Sequence, residues 1–278
     1  MPVPAQNQQY ENFIIRYKQN THGGFDYESD ENFQIVNDLF GILYVPMQKV
    51  PELELSSYSY SSIPRCYTYM DTGALSTSGV TGLHNHPYLK LQGKGTLVAV
   101  IDSGIDYLHP AFHNGVQSKI FSIWDQTLEG GADGRIPFGR EFGRQQIEQA
   151  LASENPWEIV PSSDTNGHGT RSAATAAGYR IEKDNFCGAA PEAEIVIVKL
   201  KQAKNYLRDF YLLPRDIDIF QEDDIMLAIS YVLFIAQEQQ MPLSICIGLG
   251  TSMGAHQGEG PLNEYINSIA AFTQNAVS

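Results

Sequence analysis

The sequence predicts an α/β fold built on a doubly wound parallel sheet and preceded by a small α+β segment. Two observations support this prediction. From Gly93 onward, apolar runs typical of strands buried on both faces alternate with segments of helical periodicity. Before residue 66 the pattern differs, because short strand-like runs alternate with polar stretches. We therefore divide the chain into an N-terminal segment with its linker, residues 1–65, and a larger α/β domain, residues 66–278.

The N-terminal segment contains two runs rich in β-branched and aromatic residues. FIIRY (Phe13–Tyr17) and FGILYVP (Phe40–Pro46) are predicted to be strands. The Ser/Tyr-rich stretch Ser56–Pro64 has no periodicity and is predicted to be a linker. A unit of about 60 residues buries little apolar surface, so we expect it to dock on the larger domain rather than to be stable alone.

In the larger domain, three apolar runs alternate with three helical patterns. The predicted strands are TLVAVID (Thr96–Asp102), AEIVIVKL (Ala193–Leu200) and LSICIGLG (Leu243–Gly250), and the predicted helices are Gly169–Gly178, Asp223–Gln239 and Pro261–Ala276. This alternation is typical of a parallel sheet covered by helices on both faces. Sites in such sheets form at the carboxyl ends of strands. Asp102 and the turn Gly248–Gly250 lie at such ends.

The composition argues against several classes of partner. The net charge is −14, from 32 acidic and 18 basic residues, so we expect neither nucleic acid nor an anionic membrane to be a partner. The longest apolar run, Ala228–Ala236, is far short of the roughly 20 residues of a membrane span. The first residues lack the basic and apolar regions of a signal peptide. The three cysteines form no CxxC pair and are predicted to be thiols.

Two short motifs carry residues suited to catalysis. VAVIDSGID places Asp102 at a strand end before a glycine turn, a mount from which a carboxylate can orient an imidazole. NGHGT places His168 between two glycines at the start of a helix, where the ring is held rigidly and a peptide can approach closely. Taken alone, Asp-Ser-Gly is also an ordinary turn, and a single Gly-His-Gly is weak support.

Two further blocks complete a pattern. Cys187–Glu194 (CGAAPEAE) introduces the second strand, and Gly248–Gly250 (GLG) ends the third. Together, and in this order, the four blocks resemble the subtilase family of serine proteases (peptidase S8). The order of aspartate before histidine is also that of subtilisin. The resemblance implies a subtilisin-like peptidase domain from residue 66 onward and a prodomain before it.

A closer resemblance is to the clostridial germination proteases, the Csp-type subtilases. It rests on the segments Met70–Gly79, Ser122–Thr127, Ala150–Pro156 and Gly250–Leu262, and on the long stretch between the Asp and His blocks. It covers residues 67–278 strongly and the prodomain loosely. The resemblance implies a bacterial zymogen, made in the cytoplasm and associated with spores and their germination.

The resemblance also implies roles for individual residues. His168 would be the general base and acid of an Asp-His-Ser triad, and Asp102 would fix its tautomer and stabilise the imidazolium. Gly248, Leu249 and Gly250 would pair with the backbone of a protein or peptide substrate as an added strand. The family often has a serine where Gly248 stands. Residues 1–65 would be a propeptide whose tail fills the cleft, although an integral edge subdomain fits the same residues.

The block with the nucleophilic serine and the strand with an oxyanion-stabilising asparagine are not found before Ser278. We therefore expect the chain to be the N-terminal part of the protease, inactive by itself. None of Ser103, Ser172, Ser252 and Ser278 has the sequence context of the nucleophile. Arg171 and Ser172 depart from the residues that usually follow the His motif.

Metal binding is not expected to be required. Four further histidines have spacings that could ligate zinc, but no third and fourth ligand accompanies them. They are His84, His86, His109 and His113. Subtilases often bind structural calcium, but its ligands cannot be located here. Asp133 and Asp164 are candidates by side-chain chemistry alone, and neither is assigned.

Three functions remain open from the sequence. The first is an active endopeptidase whose serine lies outside these residues. The second is an inactive Csp-type pseudoprotease that serves as a binding or signalling partner. The third is a doubly wound domain that binds a small molecule, which would require a phosphate-binding glycine loop after the first strand. The turn Asp102-Ser103-Gly104 is not such a loop.

Overall fold

The N-terminal segment forms a small antiparallel sheet. The computed structural model describes residues 3–16, 32–50, 58–69, 91–130, 135–254, 257–272 and 276–277. Strand β1 (Tyr10–Arg16) pairs with β3 (Phe40–Pro46) along its whole length, and β2 (Phe33–Ile35) pairs with the other edge of β3. Both strands predicted in this segment are therefore present; Tyr17 lies outside the described residues.

The larger part of the chain alternates strands and helices. Among the described residues, the further strands are β4 (Cys66–Tyr69), β5 (Leu97–Asp102), β6 (Ile120–Asp125), β7 (Arg140–Gly143), β8 (Glu194–Lys199), β9 (Phe220–Gln221), β10 (Leu243–Ile247), β11 (Leu249–Gly250) and β12 (Ala276–Val277). The α-helices are α1 (Arg144–Leu151), α2 (Pro156–Ile159), α3 (His168–Ala177), α4 (Asn205–Phe210), α5 (Glu222–Gln239) and α6 (Pro261–Phe272).

A six-stranded sheet forms the centre, in the order β12-β10-β5-β8-β6-β7. Its strands are parallel except β7, which is antiparallel to β6 at the edge. All six residues of β5 are buried because helices cover both faces. Leu97, Ala99 and Ile101 pack in the core that contains α5, whereas Val98 and Val100 pack in the core that contains Ala173 and Ala177 of α3. The predicted doubly wound α/β fold is thus confirmed.

Two predicted elements are wrong in their extent. Leu243–Gly250 is not one strand, because β10 ends at Ile247 and Leu249 begins β11 in a different sheet. Ile247 pairs with Ile101, and the partner strand β5 continues for only one more residue, to Asp102, so the central sheet offers little further pairing. The last helix ends at Phe272 and not at Ala276, since Ala276 and Val277 pair with β10 as an edge strand.

The N-terminal sheet shares its core with the central sheet. Ile14, Phe40, Ile42 and Tyr44 belong to the apolar cluster that also contains α5. This packing agrees with the expectation that a unit of about 60 residues requires a neighbour. The predicted boundary at residue 65 between the N-terminal segment and the larger domain remains a prediction. No helix in the described ranges is long and apolar enough to cross a bilayer.

Candidate active site

Asp102 ends the central strand β5. Asp102 is only 1% exposed. Its backbone pairs with that of Lys199 in β8, so it belongs to the sheet. The backbone N–H of Ser103 donates to Asp102 Oδ1 at 2.7 Å, which fixes the carboxylate. The turn continues through Gly104, whose φ of +124° disfavours any residue with a side chain. The carboxylate is therefore rigidly held at the carboxyl edge of the sheet.

His168 is the first residue of α3 and is buried. Its ring Nδ1 lies 2.7 Å from Asp102 Oδ1, and because a carboxylate is an acceptor, this nitrogen carries the proton and donates it. Gly167 has a φ of +77°. A Cβ on Gly169 would stand 2.2 Å from the carbonyl oxygen of Gly104, so only glycine allows this close approach. Sterics thus explain why both positions that flank His168 are glycine.

Asp164 joins the two motifs. Its Oδ1 accepts from Ser103 Oγ at 2.9 Å and from the Gly167 N–H at 3.1 Å. Its Oδ2 accepts from the Thr170 N–H at 2.8 Å and from Thr170 Oγ1 at 2.6 Å. The carboxylate therefore ties the turn after Asp102 to the start of α3. Burial alone would raise the pKa of Asp164, but these donors outweigh it and hold that pKa below its usual range.

Gly248 passes close to the Asp–His pair. A Cβ there would lie 2.8 Å from Asp102 Oδ2 and 3.0 Å from His168 Cε1. It would also lie 3.4 Å from Ser172 Oγ. Asp102 Oδ2 and Ser172 Oγ are buried and make no hydrogen bond within the described part of the chain. The absence of a side chain at Gly248 is what leaves space beside the carboxylate.

Three short strands form a third sheet next to His168. Strand β4 lies between β11 and β9 and is antiparallel to both. Leu249 and Gly250 pair with Tyr69 and Thr68, respectively. Two of the three residues predicted to pair with a substrate backbone, Leu249 and Gly250, thus pair with an extended segment of this same chain, whereas Gly248 lies just before β11. The ring of Tyr69 stacks on His168, with centroids 4.4 Å apart.

The other candidate residues lie apart from this site or have other roles. Arg171 is exposed. The Ala111 N–H donates to His109 Nδ1, and His113 Nε2 bonds to the Leu108 carbonyl, so both rings belong to turns. Asp164 binds backbone and hydroxyl donors. His84, His86 and Asp133 lie outside the described residues. No group of three metal-ligating side chains occurs in the ranges that the structure describes.

Sequence reasoning missed β4, β9 and the role of Asp164. The run CYTY (Cys66–Tyr69) is aromatic and follows Pro64, a pattern that could have indicated a strand. Its two neighbours lie roughly 150 and 180 positions further along the chain, so its location could not be read from spacing. Asp164 stands four residues before His168, within reach of the first turn of a helix.

Comparison with known proteins agrees with this geometry. Residues 93–211, which contain Asp102 and His168, match the model of the subtilase family, Peptidase_S8. Two curated relatives from Arabidopsis thaliana are the subtilisin-like proteases SBT1.9, 28% identical over 142 residues, and SBT1.4, 30% identical over 125 residues. These matches cover 46% and 39% of this chain but only 18% and 16% of the relatives.

A solved structure extends the similarity beyond that region. The structure of the Clostridium perfringens CspB protease aligns with 71% of this chain at 29% identity, with a TM-score of 0.58. The alignment covers 37% of the CspB chain. The present chain therefore spans well under half the length of each of these relatives.

Proposed function

We propose that this chain, whose residues 93–211 match the subtilase family model and whose fold is similar to that of a subtilisin-like protease, is a serine-type endopeptidase acting on protein substrates. The observation that carries the proposal is the buried hydrogen bond between His168 Nδ1 and Asp102 Oδ1. It leaves Nε2 as the ring nitrogen that takes a proton. Such a pair is what a serine nucleophile requires as its base.

In the proposed reaction, His168 Nε2 accepts the proton of a serine hydroxyl while the hydroxyl oxygen attacks the peptide carbonyl carbon. Asp102 stabilises the imidazolium that forms. The imidazolium then gives its proton to the leaving amine, and water repeats the sequence on the acyl-enzyme. Buried in a site of low dielectric, the carboxylate stabilises this charge more than an exposed one would.

We propose that the nucleophilic serine lies outside residues 1–278. Ser103 Oγ bonds both Asp164 and the Gly169 N–H, so it is committed to structure. Ser172 Oγ is buried near Gly248 and makes no hydrogen bond within the described part of the chain, so His168 does not activate it.

We also propose that the N-terminal segment is the propeptide of a zymogen. Strand β4, which directly follows this segment, supports the proposal because it lies extended between β9 and β11 beside His168. An extended segment between two strands is how a peptide is recognised by strand addition. From the resemblance to the Csp-type proteases, we further propose that the protein is located in spores. Detecting it in purified spores would test this.

The test requires the gene beyond the codon for Ser278. If the frame encodes a serine motif, the full protein should hydrolyse casein, and His168→Ala should lower kcat by about 10⁴-fold or more, as in other triads. The control is His109→Ala, which removes an exposed histidine outside the site. Unchanged hydrolysis in the His168→Ala protein would contradict the proposal. A frame without the serine would instead favour the inactive alternative, a protein that binds a partner through the same cleft.

A further inference from the structure

The half-buried side chain of Tyr69 packs next to His168, and the residues that contact it outline a pocket. The Tyr69 ring stacks on His168 with an interplanar angle of 29° and meets Phe220 edge-on with centroids 5.5 Å apart. Phe220 is 1% exposed and belongs to β9. The rings of His168 and Phe220, at these distances, favour binding of an aromatic ring over an aliphatic side chain.

Polar groups meet the hydroxyl at the end of this pocket. Asn166 Nδ2 donates to the Tyr69 hydroxyl oxygen, and the hydroxyl donates to Asp218 Oδ2 at 3.2 Å. Asn166 Nδ2 also donates to the same Asp218 oxygen at 2.9 Å. The hydroxyl thus has one donor and one charged acceptor, which a phenylalanine ring could not use. Burial raises the pKa of Tyr69, so the hydroxyl keeps its proton at neutral pH.

Contacts other than those of Tyr69 hold these groups in place. Asn166 Oδ1 accepts from the backbone N–H of His168 at 2.9 Å, which fixes the amide at the start of α3. Gln202 Nε2 donates to Asp218 Oδ1 at 2.7 Å, and Gln202 Oε1 in turn accepts from Arg208. The pocket is therefore preorganised for a phenol.

We propose that this pocket is a tyrosine-recognition subsite of the substrate cleft, and that Tyr69 is its internal ligand. The assignment rests on the proposed function and deepens it, because it names the substrate class: protein segments with tyrosine at the position that contacts His168. Asn166, Phe220 and Asp218 are the specificity-determining residues. Asn166 is exposed and Asp218 is half-buried, so we expect only about a tenfold preference for tyrosine over phenylalanine.

The register of β4 also assigns the bond that would be cut. The register places the tyrosine of β4 opposite Leu249. A bound peptide that continued this register by one position would bring its next residue opposite Gly248, which precedes β11 and lies against Asp102 and His168. The carbonyl nearest to the catalytic pair would therefore belong to the residue after the tyrosine.

The first experiment tests recognition without catalysis. Tyr69→Ala should open the pocket in the chain, and p-cresol should then shift the imidazole NMR resonances of His168 in a saturable way. Toluene, which lacks the hydroxyl, should bind about tenfold more weakly, and adding Asp218→Ala should remove that difference. In a Tyr179→Ala control, p-cresol should leave the His168 resonances unchanged. Equal binding of the two compounds, or no binding, would overturn the proposal.

A second variant covers the case in which Tyr69→Ala does not fold. Tyr69→Phe keeps the ring and removes only the hydroxyl, and we expect the amide hydrogens of β4 to exchange about tenfold faster than in the wild-type chain. Tyr179→Phe is the matched control and should leave exchange in β4 unchanged. Equal exchange in the wild-type and Tyr69→Phe chains would show that the hydroxyl contacts do not hold the strand.

The third experiment uses the catalytically complete protein and separates the two proposals. Peptides containing Tyr-Met, Phe-Met or Ala-Met should be cut after the methionine, with kcat/KM highest for Tyr-Met. Asp218→Ala should lower the Tyr-Met value about tenfold, whereas the nearby exposed Asp216→Ala should not. Hydrolysis without a tyrosine preference would sink the subsite and leave the protease. Phenol binding without any hydrolysis would sink the protease and leave the subsite.

Discussion

At the scale of single residues, the candidate site depends on where side chains are absent as much as on where they are present. Gly167 and Gly104 have positive φ angles, and Gly169 touches the backbone of Gly104. Gly248 leaves open the space beside Asp102 Oδ2. The motif glycines therefore let two chain segments approach more closely than segments with Cβ atoms could.

Gly248→Ala tests this view directly. The added methyl group would stand 2.8 Å from a buried carboxylate oxygen and 3.0 Å from the imidazole, so the Asp–His pair must move. We expect a loss of stability of about 1–3 kcal/mol, as for other overpacked sites, and altered His168 resonances. Gly143→Ala is the control, since a Cβ there meets nothing within 4 Å and φ is −79°. Unperturbed His168 resonances in Gly248→Ala would contradict the steric argument.

At the scale of elements, the helix α5 is buried along most of its length. Its buried residues include Glu222, Asp223 and Asp224 in the first turn. These acids complement the helix N-terminus, and they also bind the rest of the chain. Asp223 Oδ2 accepts from Asn12 of β1 at 2.6 Å, and Lys201 Nζ donates to Asp224 Oδ2 at 2.5 Å. The start of α5 is thus part of the contact with the N-terminal sheet.

Asp223→Ala should therefore be costly. It removes the acceptor of both Asn12 Nδ2 and Gln221 Nε2, which are buried donors. We expect a loss of about 2–4 kcal/mol in the free energy of unfolding, measured with urea. Glu238→Ala, at the exposed opposite end of the same helix, should change it by less than about 0.5 kcal/mol. Similar effects of the two substitutions would mean that the buried network adds nothing.

At the scale of the whole molecule, buried ionisable groups join the N-terminal sheet to the central domain. Lys204 Nζ donates to the Pro4 and Tyr10 carbonyls and to Asn12 Oδ1. Glu11 Oε2 is buried and makes no hydrogen bond within the described ranges. Burial raises the pKa of Glu11 to about 7, although the charge of Lys204 lowers it. Burial lowers the pKa of Lys204, also to about 7.

These two groups give opposite pH dependences. Because the pKa of Glu11 is raised from its usual 4.5, its contribution to stability is complete below pH 4.5 and is lost as the pH rises through about 7. Because the pKa of Lys204 is depressed, its contribution is lost as the pH falls through about 7. The stability of the wild-type chain alone would therefore not separate them.

Glu11→Gln isolates the carboxyl group. Relative to wild type, this variant should gain about 1–3 kcal/mol in unfolding free energy between pH 5.5 and pH 8.5, because glutamine has no proton to lose. Urea unfolding at the two pH values measures the gain. Glu158→Gln, an exposed site, should show no such difference. A constant difference between Glu11→Gln and wild type at both pH values would refute the role of Glu11.

The sequence by itself determined three strands of the six-stranded central sheet, β5, β8 and β10. It also determined two motifs, one at the end of β5 and one at the start of α3. Strand β5 is apolar throughout because helices cover both of its faces, and that pattern is local. The features that fix Asp102 and His168 are also local, since each residue is held by glycines within two positions of it in the sequence. Local sterics and hydrophobic patterning are properties that a sequence displays directly.

Only the tertiary structure decided what surrounds those two residues. Tyr69 meets Asn166 97 positions away and Asp218 149 positions away, and Asp164 reaches Ser103 across 61. Strand β10 ends at Ile247, one residue short of the end of its neighbour β5, and no feature of the run LSICIGLG predicts that limit. Contacts between distant segments depend on how the whole chain packs, so no short window of sequence contains them.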